Sequence, residues 1–376
     1  MGNSVFILGA GASVHANAPV MREFLDQAAI VGRSEKGTPD QEAFEIVSRA
    51  RSELQLVHSK ARFDLRNLES VFAAFEMAQL FGRLGKVEQR DVSRLVASMQ
   101  RVIVRTLEVS MRFQVKAGAV QPPDMYNEFA RSLYEVAGTG EHITVITFNY
   151  DIGVDFALST HFSEIDYCFN HLPVISERPI ESMKLHGSLN WSVCPSCEKI
   201  GFDPVDQFVD RLERGAKVGG NRPVLLEVSK ALQSLKHLNC SSVYRADPVI
   251  VPPTTAKMGY QQQLAPVWAR AAERLAQADS IYVIGYSWPL GDQFFHQLFA
   301  VGSVGEQLLR RFCVVNPEQT VRERFRNELL GQQGIDRFAV VDASHGRFQH
   351  EAINTIRRHY GLANIDTVVP RTRRSM

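Results

Sequence analysis

Short runs of consecutive apolar residues alternate along this chain with stretches whose apolar positions recur every three to four residues. Val5–Leu8, Ile143–Phe148, Val249–Val251, Ile281–Ile284, Phe312–Val315 and Phe338–Val341 are continuous, rich in β-branched residues and followed by glycine or polar turns. Runs of that kind suit strands of a parallel sheet covered on both faces. Helical stretches lie between several of them, which predicts a doubly wound α/β core. Residues 31–140 break the alternation. There Leu65, Leu68, Phe72 and Phe75 fall on one helical face, and Val92, Leu95, Met99 and Val102 on another. Asp64 and Asp91 stand where helix N-caps are expected. This segment is read as a helical insertion between the first two core strands. Residues 191–246 are the second exception, richer in Cys, Gly and charge and poor in apolar periodicity, as in a small module held by something other than a core.

Composition narrows the function classes. The 376 residues carry 42 Lys+Arg against 41 Asp+Glu, which argues against a dominant attraction to nucleic acid or an anionic membrane. No apolar run is long enough to cross a bilayer. The N-terminus enters a strand with no basic segment before it, so it does not read as a secretory signal. Met1-Gly2 opens like a myristoylation site, but Phe6 stands where Ser or Thr is wanted. Five cysteines, an odd number, point to a reducing cytoplasm rather than a disulfide framework. The basic end, Pro370 to Met376, is expected to be a disordered tail.

Chemistry gathers at the ends of the apolar runs. Gly9-Ala10-Gly11-Ala12-Ser13 follows the first strand directly. Glycines there let the backbone approach a diphosphate at a helix start, although Val14 stands where the full dinucleotide fingerprint wants a third small residue. The second strand ends in Asn149-Tyr150-Asp151, and ligands of open α/β sheets collect at such carboxyl ends. His186-Gly187 supplies a side chain suited to carrying a proton near neutral pH. Gly285-Tyr286-Ser287 and Asn316 close two later strands. Cys194-x-x-Cys197 and His237-x-x-Cys240 repeat one spacing with thirty-nine residues between them. Together they make a three-thiolate, one-imidazole set for structural zinc, whose binding would supply folding energy that the module lacks. Cys168 and Cys313 have no paired spacing and are expected to be packing residues.

The order of these motifs resembles that of sirtuins. Gly9–Ser13 is similar to their opening phosphate loop, Thr147-Phe148-Asn149-Tyr150-Asp151 to their T-x-N-x-D motif, and His186-Gly187 to their catalytic His-Gly. Cys194 and Cys197 fall where their zinc ribbon begins, and Cys240 to Ile250 resembles the passage leaving the second cysteine pair, with His237 replacing one cysteine. The resemblance implies a Rossmann-like core at 1–30, 141–190 and 247–345, a helical insertion at 31–140 and a zinc-ribbon-like module at 191–246. A C-terminal helix and basic tail would fill 346–376. It also implies NAD+ as substrate. Gly9, Ala10, Gly11 and Ser13 would hold the diphosphate, while Gly285, Ser287 and Asn316 would serve the adenosine half. Asn149 would orient the nicotinamide ribose or the attacking water, Asp151 would fix Asn149, and His186 would act as base.

Departures from protein deacylases are equally informative. Val14 to Phe24 replaces their Gly-Ile-Pro-Asp-Phe-Arg loop, Val251-Pro252-Pro253-Thr254 replaces their Phe-Gly-Glu stretch, and the helical insertion is foreign to them. These traits resemble the bacterial sirtuin-like effectors of antiphage defence. That likeness implies an NAD+ hydrolase releasing nicotinamide and ADP-ribose, acting as a homo-oligomer or with a separately encoded partner such as a DNA-translocating ATPase. No membrane or direct nucleic-acid contact is implied. The competing readings are an NAD-dependent lysine deacylase and a non-catalytic module sensing NAD or ADP-ribose.

Overall fold

A computed structural model describes residues 2–55, 64–111, 113–116, 119–205, 227–237, 240, 242–251, 258–288, 293–302, 307, 309–329, 338–341 and 350–365. Its centre is a sheet of seven strands: β1 (Asn3–Leu8), β2 (His142–Thr147), β3 (Ile165–Asp166), β4 (Ile180–Lys184), β5 (Ser280–Ile284), β6 (Arg311–Val315) and β7 (Phe338–Val341). They lie in the order β7-β6-β5-β1-β2-β4-β3, and every pairing is parallel. Leu8 is level with both Thr147 and Ile284, so the loops after β1, β2 and β5 leave the same edge. The strand order reverses at β1, which makes its carboxyl end the switch point where an open α/β sheet forms a crevice.

Alternation along each strand builds two cores. Val5, Ile7, Ile146, Met183, Ile281, Val283, Phe312 and Val314 point to one face and pack with Leu264, Val267, Ala271 and Leu275 from the helix Met258–Gln277. Phe6, Leu8, Val145, Tyr282, Ile284, Cys313 and Val315 point to the other. They meet the helices Asp124–Ala137, Gly153–Ser159 and His350–His359. Cys313 is a packing residue of this second core, as expected. The result is the three-layered, Rossmann-like α/β sheet that the apolar runs predict.

A third core belongs to the helices that follow β1. The helices Met21–Ser34, Gln41–Leu54, Leu68–Phe81 and Leu95–Ser110 bury Phe24, Phe44, Ile46, Phe72, Phe75, Met99 and Ile103 against one another. The two anticipated helical faces are buried there, with Leu65 at the margin. A short hairpin, Gln114–Lys116 with Ala119–Gln121, interrupts the helices.

Several local expectations are corrected. Val249–Ile250 is not a sheet strand but pairs antiparallel with Gly187–Ser188. β4 takes the place beside β2 instead, although its Glu, Ser and Lys hid it from an apolar-run criterion. Asp64 does not cap a helix; Asn67 does, its side chain accepting from Glu69 and Ser70 amides. Asp91 lies inside the short helix Gln89–Val92, buried against Arg49 at 2.7 Å. The proposed tail, 370–376, lies outside the described residues, as does most of Val251–Thr254. Among the described residues no helix is long and apolar enough to cross a membrane.

Candidate NAD site and metal cluster

The turn after β1 is a 3-10 helix, Ala10–Ala16, closed by Asn17 in the left-handed region. Gly9 donates its N–H to the Ile284 carbonyl at 3.0 Å, and Gly11 donates to the Gly285 carbonyl at 2.8 Å. A side chain on Gly9 would meet the Tyr286 backbone at 2.5 Å, and one on Gly11 would meet Gly285 at 2.8 Å. Gly285 itself has φ +63°, and its missing Cβ would lie 2.2 Å from the Ala12 nitrogen. The three glycines therefore seat one strand-end turn directly on the other, a demand separate from any phosphate. Ala12 N–H is likewise engaged, by the Gly9 carbonyl at 2.9 Å.

Ser13 is the hub of this edge. Its hydroxyl donates to Asp151 Oδ2 at 2.6 Å, and Asn149 Nδ2 donates to it at 2.9 Å. Asn149 Nδ2 donates as well to the Gly9 carbonyl at 2.9 Å. Only the amide NH2 can face a carbonyl oxygen, so the side chain's orientation is fixed. Both amide protons are thereby used, and Asn149 presents an acceptor as its remaining polar atom. Asp151 Oδ1 accepts from the Gly153 amide at 2.9 Å, an Asx-type turn that starts the helix Gly153–Ser159.

His186 follows β4 two residues on, after Leu185. Its ring packs edge-on against Phe148, the neighbour of Asn149, with centroids 5.2 Å apart, and lies 6.1 Å from the Tyr150 ring. Its carbonyl accepts from Val251 N–H at 2.8 Å. Gly187 has φ +85°, and a Cβ there would meet the Val249 carbonyl at 2.0 Å. The missing side chain lets the Val249–Ile250 segment cross the histidine turn as a closely seated strap.

Ala10, Gly285, Ser287 and Asn316 complete the edge. Ser287 is exposed beyond β5, and its carbonyl accepts from Arg324 at 3.2 Å. Asn316 is buried; it donates to the Tyr286 carbonyl at 3.2 Å and accepts from the Glu318 amide at 2.9 Å. The latter bonds commit much of Asn316 to holding its own turn.

Sequence reasoning missed Tyr126. It comes from the helix Asp124–Ala137, and its hydroxyl lies 2.8 Å from Ser13 Oγ. Ser13 donates to Asp151, so Tyr126 is the donor in this pair. Burial, with the charge of Asp151 second, pushes its phenol well above the ordinary value and keeps it protonated. Beside it, burial pulls the His15 imidazole down from 6.5 to about 4. No local pattern marks Tyr126, because its partner lies 113 residues away.

Cys194, Cys197, His237 and Cys240 form a cluster whose four ligand atoms lie within 4.8 Å of one another. Each pair sits on a turn between short antiparallel strands, Trp191–Val193 with Ile200–Phe202, and Lys236–His237 with Ser242–Val243. Glu198 N–H closes the first turn on the Cys194 carbonyl at 2.9 Å, and Cys240 N–H closes the second on His237 at 3.2 Å. Burial alone would raise the Cys194 thiol, but amide donors from Cys197 and Ser196 and the His237 ring bring it to about 6. Cys240 is pushed up to about 11, first by its contact with Cys197. Thiols crowded this closely compete for protons, and a divalent ion would resolve the competition by binding all as thiolates. Donor type, number and spacing fit tetrahedral zinc.

No protein-family model matches the chain, and no curated protein matches it in sequence. Solved structures similar in shape include a Sir2 homolog–NAD complex, 16% identical, with a TM-score of 0.39 over 95% of this chain and 89% of that one. Another is Sir2Tm bound to a propionylated peptide, 13% identical, with a TM-score of 0.40 over 96% and 94%. A mutant Sir2 homologue in complex with ADP ribose is 15% identical, with a TM-score of 0.37 over 95% and 91%. Likeness at this level assigns neither family nor activity, and the α/β assignment rests on the chain's own strand order.

Proposed function

We propose that the protein is a sirtuin-like NAD+ hydrolase that releases nicotinamide and ADP-ribose, an NAD-depleting effector of bacterial antiphage defence. One observation carries the chemical part. At the switch point of a parallel sheet, Ser13 ties together Asn149, Asp151 and the Gly9 turn, and His186 packs on the residue next to Asn149. The antiphage assignment and the expectation of a homo-oligomer or an ATPase partner rest on the departures from deacylases at Val14 to Phe24 and Val251 to Thr254 and on the helical insertion.

NAD+ carries a cationic leaving group, so glycosidic cleavage needs little help from an acid. It needs a stabilised oxocarbenium-like ribose and a placed nucleophile. Asn149, with its amide protons already used, offers its oxygen to a ribose hydroxyl or to the attacking water. Asp151 acts on Asn149 through Ser13, and Tyr126 holds Ser13 from the other side. His186 takes the proton from water, directly or through a ribose hydroxyl. Gly9, Ala10, Gly11 and Ser13 would line the path of the diphosphate, with Gly285, Ser287 and Asn316 toward the adenosine half. Cys194, Cys197, His237 and Cys240 would hold a zinc ion that, with four protein ligands, shapes the module and takes no part in the chemistry.

Incubation of the purified chain with NAD+ alone, followed by chromatography, tests this reading. Free nicotinamide with ADP-ribose is the expected result. Turnover that appears only with an acylated peptide would instead establish the deacylase, and binding without turnover the sensing module.

A further inference from the structure

Beneath the Asn149–Asp151 turn, the last residue of β4 is Lys184, whose side chain is 0% exposed. Its ammonium donates to the Asp151 carbonyl at 2.6 Å and to Asp155 Oδ2 at 2.7 Å. Asp155, equally buried, also accepts from the Tyr167 hydroxyl at 3.0 Å. Asn190 Nδ2 reaches Tyr167 at 3.4 Å and the Asp203 carbonyl at 2.9 Å. A line of polar contacts thus runs from Ser13 and Asn149 down to the hairpin that carries Cys194 and Cys197.

A whole lysine in a protein interior is rare. A buried ion pair is no better for stability than apolar residues of the same volume, since desolvation offsets the attraction. Stability therefore does not account for this pair, whereas what the ammonium holds does. The Asp151 carbonyl belongs to the peptide unit whose placement sets the Asp151 carboxylate, and with it Ser13 and Asn149. We infer that Lys184 is a positioning residue of the candidate site. Its ammonium tethers the Asp151 carbonyl and so fixes Asn149, while Asp155 serves to make the buried cation tolerable. The consequence for NAD+ turnover rests on the function proposed above; the tether itself does not.

The experiment compares Tyr167→Phe, which leaves the ion pair intact, with the double variant Lys184→Met/Asp155→Leu, in which both charges are gone. Hydrogen–deuterium exchange is followed in peptides spanning 146–153, with 3–8 and 280–284 as controls. The double variant is expected to exchange at least about tenfold faster at 146–153 with the controls unchanged. Its kcat for nicotinamide release should fall about 100-fold with KM within about threefold, as for a mispositioned group. Tyr167→Phe, which removes a hydrogen bond to Asp155 but keeps both charges and the tether, should exchange as wild type does. Wild-type exchange in the double variant would overturn the inference, because the ammonium would then only neutralise Asp155. Equal loosening in Tyr167→Phe would overturn it too, and a double variant that fails to fold would make the contact part of the fold instead. If the wild type releases no nicotinamide, the proposed function falls while the exchange readout still decides the tether.

Discussion

The strand-end site and the metal cluster hold their residues by opposite means. At the strand ends, Gly9, Gly11 and Gly285 press backbone on backbone, and Ser13, Asn149, Asp151 and Tyr126 form a hydrogen-bonded knot over a sheet buried on both faces. Around the cluster, strands of two or three residues carry the ligands, and the apolar side chains nearby join other cores. Trp191 and Ile200 belong to the sheet's core, and Val228 and Leu232 to that of the helices. The module has no core of its own among the described residues. One region is therefore organised by packing that would persist without ligand, and the other by four clustered side chains that could hold an ion between them.

Metal removal should show the largest difference. Structural zinc contributes about 10 kcal/mol in small domains. A chelator, or Cys197→Ser, is expected to open 191–203 and 236–245 to proteolysis while exchange protection of β1, β2 and β5 survives. Bound zinc measured by elemental analysis should be one per chain, and loss of protection across the whole sheet would erase the contrast. Asn149→Ala comes next. It should lower nicotinamide release by about a thousandfold, worth about 4 kcal/mol of barrier, with a melting temperature near that of wild type. A variant with full turnover would remove Asn149 from the site.

Gly285→Ala should cost about 3 kcal/mol in denaturant unfolding, since it combines a positive φ with a backbone collision at Ala12. Gly37→Ala supplies the control, as it shares a positive φ but meets nothing within 4 Å. Equal effects at both positions would mean that turn-on-turn seating is unimportant. The smallest effect is pH dependence at the strand ends. His15 is held at about 4 in the native state against 6.5 when unfolded. Between those values the unfolded chain binds the extra proton, so stability is full above about pH 6.5 and declines as pH falls toward 4, by about 2 kcal/mol between pH 7 and pH 5. His359 is lowered similarly but is more exposed and adds less. His15→Gln should flatten the slope of unfolding free energy between pH 7 and pH 5; an unchanged slope would place the effect elsewhere.

Much of the sheet was legible because buried parallel strands leave continuous apolar runs, as in Ile281–Ile284 and Phe312–Val315. β4 was not, since Glu181 and Lys184 are charged and are tolerated inside through partners such as Arg274 and Asp155. Val249–Val251 was misleading for the converse reason: Val249 and Val251 pack into the sheet's core, while the backbone of Val249–Ile250 pairs with the histidine turn and not with a sheet strand. The metal cluster could be read from spacing, because each pair is local and only the closure between pairs is long-range.

What the sequence determined by itself was which residues end strands and which pairs share a turn, since strand ends and four-residue turns are set by neighbours along the chain. A parallel sheet then brings Gly9–Ser13 and Asn149–Asp151 to one edge without further information. Only the tertiary structure decided that Tyr126 reaches Ser13, that Lys184 supports Asp151 from below, and that Val249–Ile250 straps Gly187. Each of these joins segments dozens of residues apart, where the partner is chosen by burial and hydrogen-bond satisfaction, and neither leaves a local pattern.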